Sequence, residues 1–162
     1  MSDTAPTNSP DQQHYKAPGW FTRNVFNRLV ARLTRMGISV LGSRVLEVKG
    51  RKTGEARRTP VNLLTLDTGT YLVAPRGHAQ WVRNVRADGG RLDLLLGRRR
   101  QSYIGTELAD DDPHKVEVLR QYLKRWKAEV GVFFEGVGPD ASDEELAAIA
   151  SKHPAFALSE RS

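Results

Sequence analysis

The strongest constraint on the fold is a series of short β-prone runs separated by glycine-bearing turns. Val45, Leu46 and Val48 open it, and GRKTGEARR follows with glycines at Gly50 and Gly54. Val61 to Leu66 is a second run, Asp67-Thr68-Gly69 a turn, and Thr70 to Ala74 a third run. Strand, turn, strand, turn, strand reads as an antiparallel meander. Arg91 to Leu96 and Arg99 to Leu108 form a further hairpin about Gly97-Arg98, and Ala155 to Leu158 reads as a closing strand. These runs do not alternate with helices as βαβ units would. The pattern predicts a mainly β chain with peripheral helices, an α+β fold built on a small barrel.

The helical signals lie around that series. From Trp20 to Met36, Phe21, Val25, Phe26, Leu29, Val30 and Leu33 recur at helical spacing, opposite Arg23, Arg28, Arg32 and Arg35. Residues 79–87 form a short helix with Trp81 and Val85 one turn apart. Asp110-Asp111-Asp112-Pro113 supplies an N-cap and a proline near the first turn of a helix that runs to about Val130. Ser142 and Glu145 stand at capping-box spacing in front of another. Residues 1–17 have the composition of a disordered tail, and 18–162 read as one domain, in keeping with a length of 162 residues.

Composition removes whole classes of chemistry. The chain has no cysteine, which excludes disulfides, thiolate nucleophiles, zinc ribbons and iron–sulfur clusters. His14, His78, His114 and His153 share no metal-ligand spacing, so no metal site is expected. No apolar run is long enough to span a membrane. The N-terminus lacks a basic segment followed by an apolar one, so a cytoplasmic protein is expected. The helix at 20–36 has the amphipathic character either of a cover over the barrel mouth or of a peripheral contact with an anionic membrane.

The net charge of +6 is unevenly spread: residues 16–60 carry 11 basic and 2 acidic groups, whereas 101–162 carry 7 and 12. A positive field over the first part of the chain attracts phosphorylated or carboxylated partners. It is densest at Gly50-Arg51-Lys52-Thr53-Gly54-Glu55-Ala56-Arg57-Arg58-Thr59-Pro60. Glycines there let the backbone approach an anion, and the arginines offer forked donors. The spacing matches neither a P-loop nor GxGxxG, and a solvated hairpin tip is the alternative reading. The second feature is Ala74-Pro75-Arg76-Gly77-His78-Ala79-Gln80-Trp81-Val82-Arg83-Asn84, in which a strand ends in a basic turn and a helix begins. Trp81 is either core or a flat wall.

Taken together, GRKTGEARRTPV and YLVAPRGHAQWVRNVRA resemble the deazaflavin-dependent nitroreductase family, over roughly residues 44–107. The family's members are split β-barrels of the flavin-binding type that use coenzyme F420. The resemblance implies that Arg51, Lys52 and Arg57 bind the phosphate and acidic tail of the coenzyme, with Thr53 and Gly54 also among the cofactor-binding residues. Pro60, Val61 and Asn62 would line one edge of the deazaflavin ring through their backbone. Ala74, Pro75, Arg76 and Gly77 would follow its other side, and Trp81 and Asn84 would complete the pocket wall. The implied activity is hydride transfer from reduced F420 to a small hydrophobic conjugated acceptor such as a quinone, enone or nitroaromatic. No side chain is assigned as catalytic; solvent, Tyr103 or His78 could deliver the later proton. The chain departs from the family in a shorter loop before Trp81, in Pro75 at a position commonly serine, and in Tyr122, Trp126, Phe133 and Phe134 where some members are tyrosine-rich.

Two other readings compete. The same barrel could carry FMN or haem. A basic nucleic-acid module would account for the arginine clusters, but the strands lack regular exposed aromatics for base stacking and the last third is acidic.

Overall fold

The computed structural model describes residues 43–161 together with Arg28. The expected tail over 1–17 and nearly all of the expected helix over 20–36 lie outside the described residues. Six strands form a closed barrel: β1 Ser43–Lys49, β2 Ala56–Leu66, β3 Gly69–Val73, β4 Arg91–Leu96, β5 Arg99–Glu107 and β6 Ala155–Glu160. Their order around the barrel is β1-β2-β3-β6-β5-β4. Every pairing is antiparallel. Helix α1 (Gln80–Ala87) joins β3 to β4; α2 (Pro113–Val130) and α3 (Asp143–Ile149) lie between β5 and β6.

The hairpins follow from local chemistry and the closure does not. β6 inserts between β3 and β5, setting Tyr71 opposite Ala157 and Gly105 opposite Leu158. Alternation then sorts side chains into two cores. Leu46, Val48, Leu72, Leu92, Leu94 and Phe156 pack with Val82 and Val85 of α1. Leu64, Tyr71, Val73 and Ala155 pack on the outer side against Leu119, Tyr122, Leu123 and Trp126 of α2. Burying each such side chain contributes roughly 1.5–3 kcal/mol, which makes α2 a structural element rather than an accessory.

The helix ends match their sequence signals. The Asp112 carboxylate accepts from the His114 amide at 2.9 Å, with Pro113 in the first turn. Ser142 and Glu145 make both arms of the capping box. Arg120 holds the connection from α2 to α3 by donating to the carbonyls of Pro139 and Ala141. Val132-Phe133-Phe134 belongs to a 3-10 helix, Gly131–Phe134.

One expectation needed adjustment. The strand after the basic turn begins at Ala56, so Arg57, Arg58 and Pro60 lie on β2 and only Gly50 to Glu55 form the turn. Arg100 stands on β5 and donates to Glu47 at 2.7 Å and to Asp93 at 2.6 Å.

Candidate active site

β2 serves two neighbours in succession. Its residues 56–62 pair with β1, and its residues 63–66 pair with β3. Leu63 faces Leu72, so one step further the same register would set Asn62 against Val73 and Val61 against Ala74; no pairing is made there. The end of β3 follows β6 instead, through Val73 opposite Ala155 and the Ala74 amide donating to the Pro154 carbonyl at 2.8 Å. The barrel wall therefore parts between Pro60-Val61-Asn62 and Ala74-Pro75. Among the described residues no strand pairs with the second edge of Ala56 to Asn62. Such an edge presents backbone donors and acceptors to a ligand. Pro60 fits this stretch, because a ladder residue without an N–H must turn that position to the unpaired edge.

The basic turn sits at one end of this opening. It is closed by the Gly50 amide on the Glu55 carbonyl at 2.7 Å and the Gly54 amide on the Gly50 carbonyl at 2.8 Å. A Cβ on Gly50 would meet the Glu55 carbonyl oxygen at 3.2 Å, Thr53 Oγ1 at 3.3 Å and Arg57 Nε at 3.4 Å, so the turn is packed closely around this glycine. Arg51, Lys52, Thr53, Gly54 and Arg57 are exposed. Asn84 is buried, and its Oδ1 accepts both the Arg51 amide at 3.1 Å and the Arg51 guanidinium at 2.9 Å. The two sequence motifs are thus joined directly, and Asn84 acts from behind Arg51.

The other end is aromatic. The Tyr122 hydroxyl is hydrogen-bonded to the Asn62 side chain and close enough to Arg76 to feel its charge; burial holds the phenol well above its ordinary pKa. The Arg76 guanidinium lies over the Phe133 ring at 5.3 Å. Trp81 is half-buried against Phe156, with ring centroids 5.8 Å apart. Pro75 and Arg76 are half-buried; Ala74 and Gly77 are buried.

The turn is braced from the C-terminal side by residues that the spacing of the sequence did not mark. His153 Nδ1 donates to the Pro75 carbonyl at 2.9 Å, and its ring stacks on Phe134 at 4.0 Å. His78 Nε2 donates to the Ser151 carbonyl at 3.1 Å, while Arg86 donates to His78 Nδ1 at 3.2 Å and to the Glu107 carboxylate. Burial pushes the His153 pKa down to about 4, with the Lys115 charge acting the same way and the Pro75 and Ala74 carbonyls and Glu135 opposing. Among the described residues no cluster of His, Asp and Glu is placed to hold a metal ion.

Residues 20–136 match a family model described as F420H(2)-dependent quinone reductase. No curated protein matches the chain. Solved structures share the fold at low identity. HutZ, the heme storage protein from Vibrio cholerae, aligns with a TM-score of 0.53 and 10% identity over 75% of this chain and 82% of that one. A domain-swapped dimer aligns with a TM-score of 0.53 and 17% identity over 88% and 100%. An F420-H2 dependent reductase (FDR-A) aligns with a TM-score of 0.48 and 15% identity over 73% and 94%.

The residues present suit coenzyme F420. Its anionic tail calls for cations on a tight turn, and Arg51, Lys52 and Arg57 stand exposed about Gly50. Its flat ring calls for an unpaired strand edge beside apolar surface, for which β2 and the half-buried Phe133 are available. With a family match over most of its length, and with both motifs meeting at one parting of the barrel, the chain belongs to the F420H(2)-dependent quinone reductase family and is an F420-dependent reductase.

Proposed function

We propose that this reductase acts on a small, hydrophobic, conjugated acceptor of the quinone, enone or nitroaromatic class. The observation that carries the reading is the parting of β2 from β3 with Arg51 tied to Asn84 at one end and Tyr122 tied to Asn62 at the other. Reduced F420, when bound, supplies the hydride. The chain's own part is to bind, orient and desolvate. Arg51, Lys52 and Arg57 hold the acidic tail, with Thr53 and Gly54 shaping the turn. The backbone of Pro60, Val61 and Asn62 fixes the ring edge, and Ala74 to Gly77 bound the opposite side. Trp81 and Phe133 provide apolar surface against which a flat acceptor can lie.

A proton must follow the hydride. His78 has both ring nitrogens engaged, with Ser151 and with Arg86, and so braces the turn. Tyr103 packs with the barrel-interior cluster, and burial raises its pKa. Solvent is then the proton source, consistent with acceptors whose reduced oxygen is readily protonated in water.

The test is a fluorescence titration with oxidised F420, followed by mixing reduced F420 with a panel of quinones, enones and nitroaromatics. Saturable binding at micromolar concentration and re-oxidation by at least one acceptor class are expected. Binding without re-oxidation by any of the three would overturn the acceptor assignment. A protein that purifies with a flavin spectrum and ignores F420 would overturn the cofactor reading as well.

A further inference from the structure

The family match ends at residue 136, yet the turn carrying the second motif is held by residues 151–154. The clasp is reciprocal. His78, just after the turn, donates to the Ser151 carbonyl, and His153 donates to the Pro75 carbonyl within the turn. Between them the Ala74 amide donates to the Pro154 carbonyl at 2.8 Å. A carbonyl oxygen can only accept, so His153 carries its proton on Nδ1. The ring is 4% exposed and lies on Phe134 with an interplanar angle of 16°, so it cannot swing away from Pro75.

The peptide it holds is the one that matters for the site. In a trans peptide the carbonyl of Pro75 and the N–H of Arg76 point in opposite directions. Fixing the first toward His153 turns the second away from the C-terminal segment and sets the direction in which Arg76 leaves the backbone. The same bond adds to the Val73–Ala155 pairing and the Ala74–Pro154 hydrogen bond that hold the end of β3 beside β6, past Leu72, the last residue of β3 that pairs with β2.

We propose that His153 is the positioning residue of the site: its Nδ1–H holds the Pro75–Arg76 peptide and thereby keeps the gap between β2 and the turn open for the coenzyme ring. The role in coenzyme binding rests on the proposed use of this gap; the hold on the peptide does not.

Two variants separate a hydrogen bond from mere packing. His153→Phe keeps a ring against Phe134 and removes the donor. His153→Asn removes the ring and keeps an N–H within reach of the Pro75 carbonyl. In the unliganded protein, the Arg76 amide resonance should move in His153→Phe and stay near its wild-type position in His153→Asn, because that amide shares its peptide with the Pro75 carbonyl. Titrated with oxidised F420, His153→Phe should bind about tenfold more weakly and His153→Asn within a few-fold of wild type. An unmoved Arg76 amide in His153→Phe, or full F420 affinity in that variant, would overturn the proposal. A wild-type protein that fails to bind F420 would overturn the use of the gap, while the amide comparison would still judge the hold on the peptide.

Discussion

Asn84 and Arg51 meet through one carboxamide oxygen, which accepts both the amide and the guanidinium of a residue 33 positions earlier. A buried side chain on α1 thus sets the shape of an exposed turn between β1 and β2. Asn84→Ala leaves the Arg51 amide without its acceptor, and a stability loss of about 1–2 kcal/mol is expected by thermal or urea melting. Weaker F420 binding should accompany it. Asn84→Asp keeps an acceptor and adds a charge that satisfies the guanidinium, so the melt should hold while F420 affinity still falls. Equal affinity in wild type and Asn84→Asp would separate Asn84 from the anion site.

Lys52 and Arg57 stand exposed beside the same turn. Their attraction for an acidic tail is screened by salt, whose Debye length shrinks from roughly 10 Å at 0.1 M to roughly 3 Å at 1 M. Lys52→Ala and Arg57→Ala should each weaken F420 binding several-fold at low ionic strength. The difference from wild type should narrow as sodium chloride is added. A salt-independent difference would mean that these side chains act by shape.

Folding stability should fall in mild acid. The ordinary histidine pKa is 6.5, and His153 in the folded protein is pushed down to about 4. The unfolded chain therefore binds a proton that the folded one refuses between these values. The stabilisation is complete above pH 6.5 and lost as the pH falls toward 4, to a limit on the order of 3 kcal/mol. Lys115 and Glu135 face the same ring with opposite effects. Chemical denaturation from pH 7 to pH 4 should show this slope in wild type and a shallower one in His153→Asn. Parallel curves would place the acid sensitivity elsewhere.

Gly90 links α1 to β4 with φ +88°, and a Cβ there would run into the carbonyl oxygen of Gly105. The two backbones already touch through the Gly105 amide on the Gly90 carbonyl at 2.7 Å. Gly90→Ala combines a left-handed backbone with a backbone clash, so a loss of about 3 kcal/mol or more is expected. The loss should appear as a large drop in melting temperature or as insoluble protein. A melt within a few degrees of wild type would show that β4 and β5 can shift to accept it.

An ion-pair network lies on the outer barrel wall. Glu47 accepts from Arg58 at 2.8 Å and from Arg100 at 2.7 Å, which holds its carboxyl below the usual range, chiefly through Arg100. Both arginine heads reach water, so Glu47→Gln should lower stability by only about 1 kcal/mol at neutral pH. Because the folded pKa is depressed, that difference should vanish as the pH falls through the carboxylate range. A difference that persists there would mean packing and not charge.

Local signals carried much of this fold. Gly-bearing turns between alternating runs specify hairpins within a dozen residues, and the β4–β5 turn at Gly97-Arg98 lies where the pattern sets it. Asp112-Pro113 and the Ser142–Glu145 pair mark helix starts through contacts only two or three residues long. The basic turn and the Trp81–Asn84 helix were legible as motifs for the same reason. The length of β2 was not, since Arg57 and Arg58 read as turn residues until β1 pairs with them.

What the residue order could specify, then, was each hairpin, each cap and the two motifs, because these depend on neighbours close in the chain. Closure by β6, the parting of β2 from β3, the Arg51–Asn84 bond and the His78–His153 clasp depend on segments brought together from as far as 88 positions apart. Nothing beside His153 in the chain distinguishes it from any other histidine at a helix end. Its role comes from the one arrangement of barrel and helices that buries both cores at once, and that arrangement is a property of the whole chain.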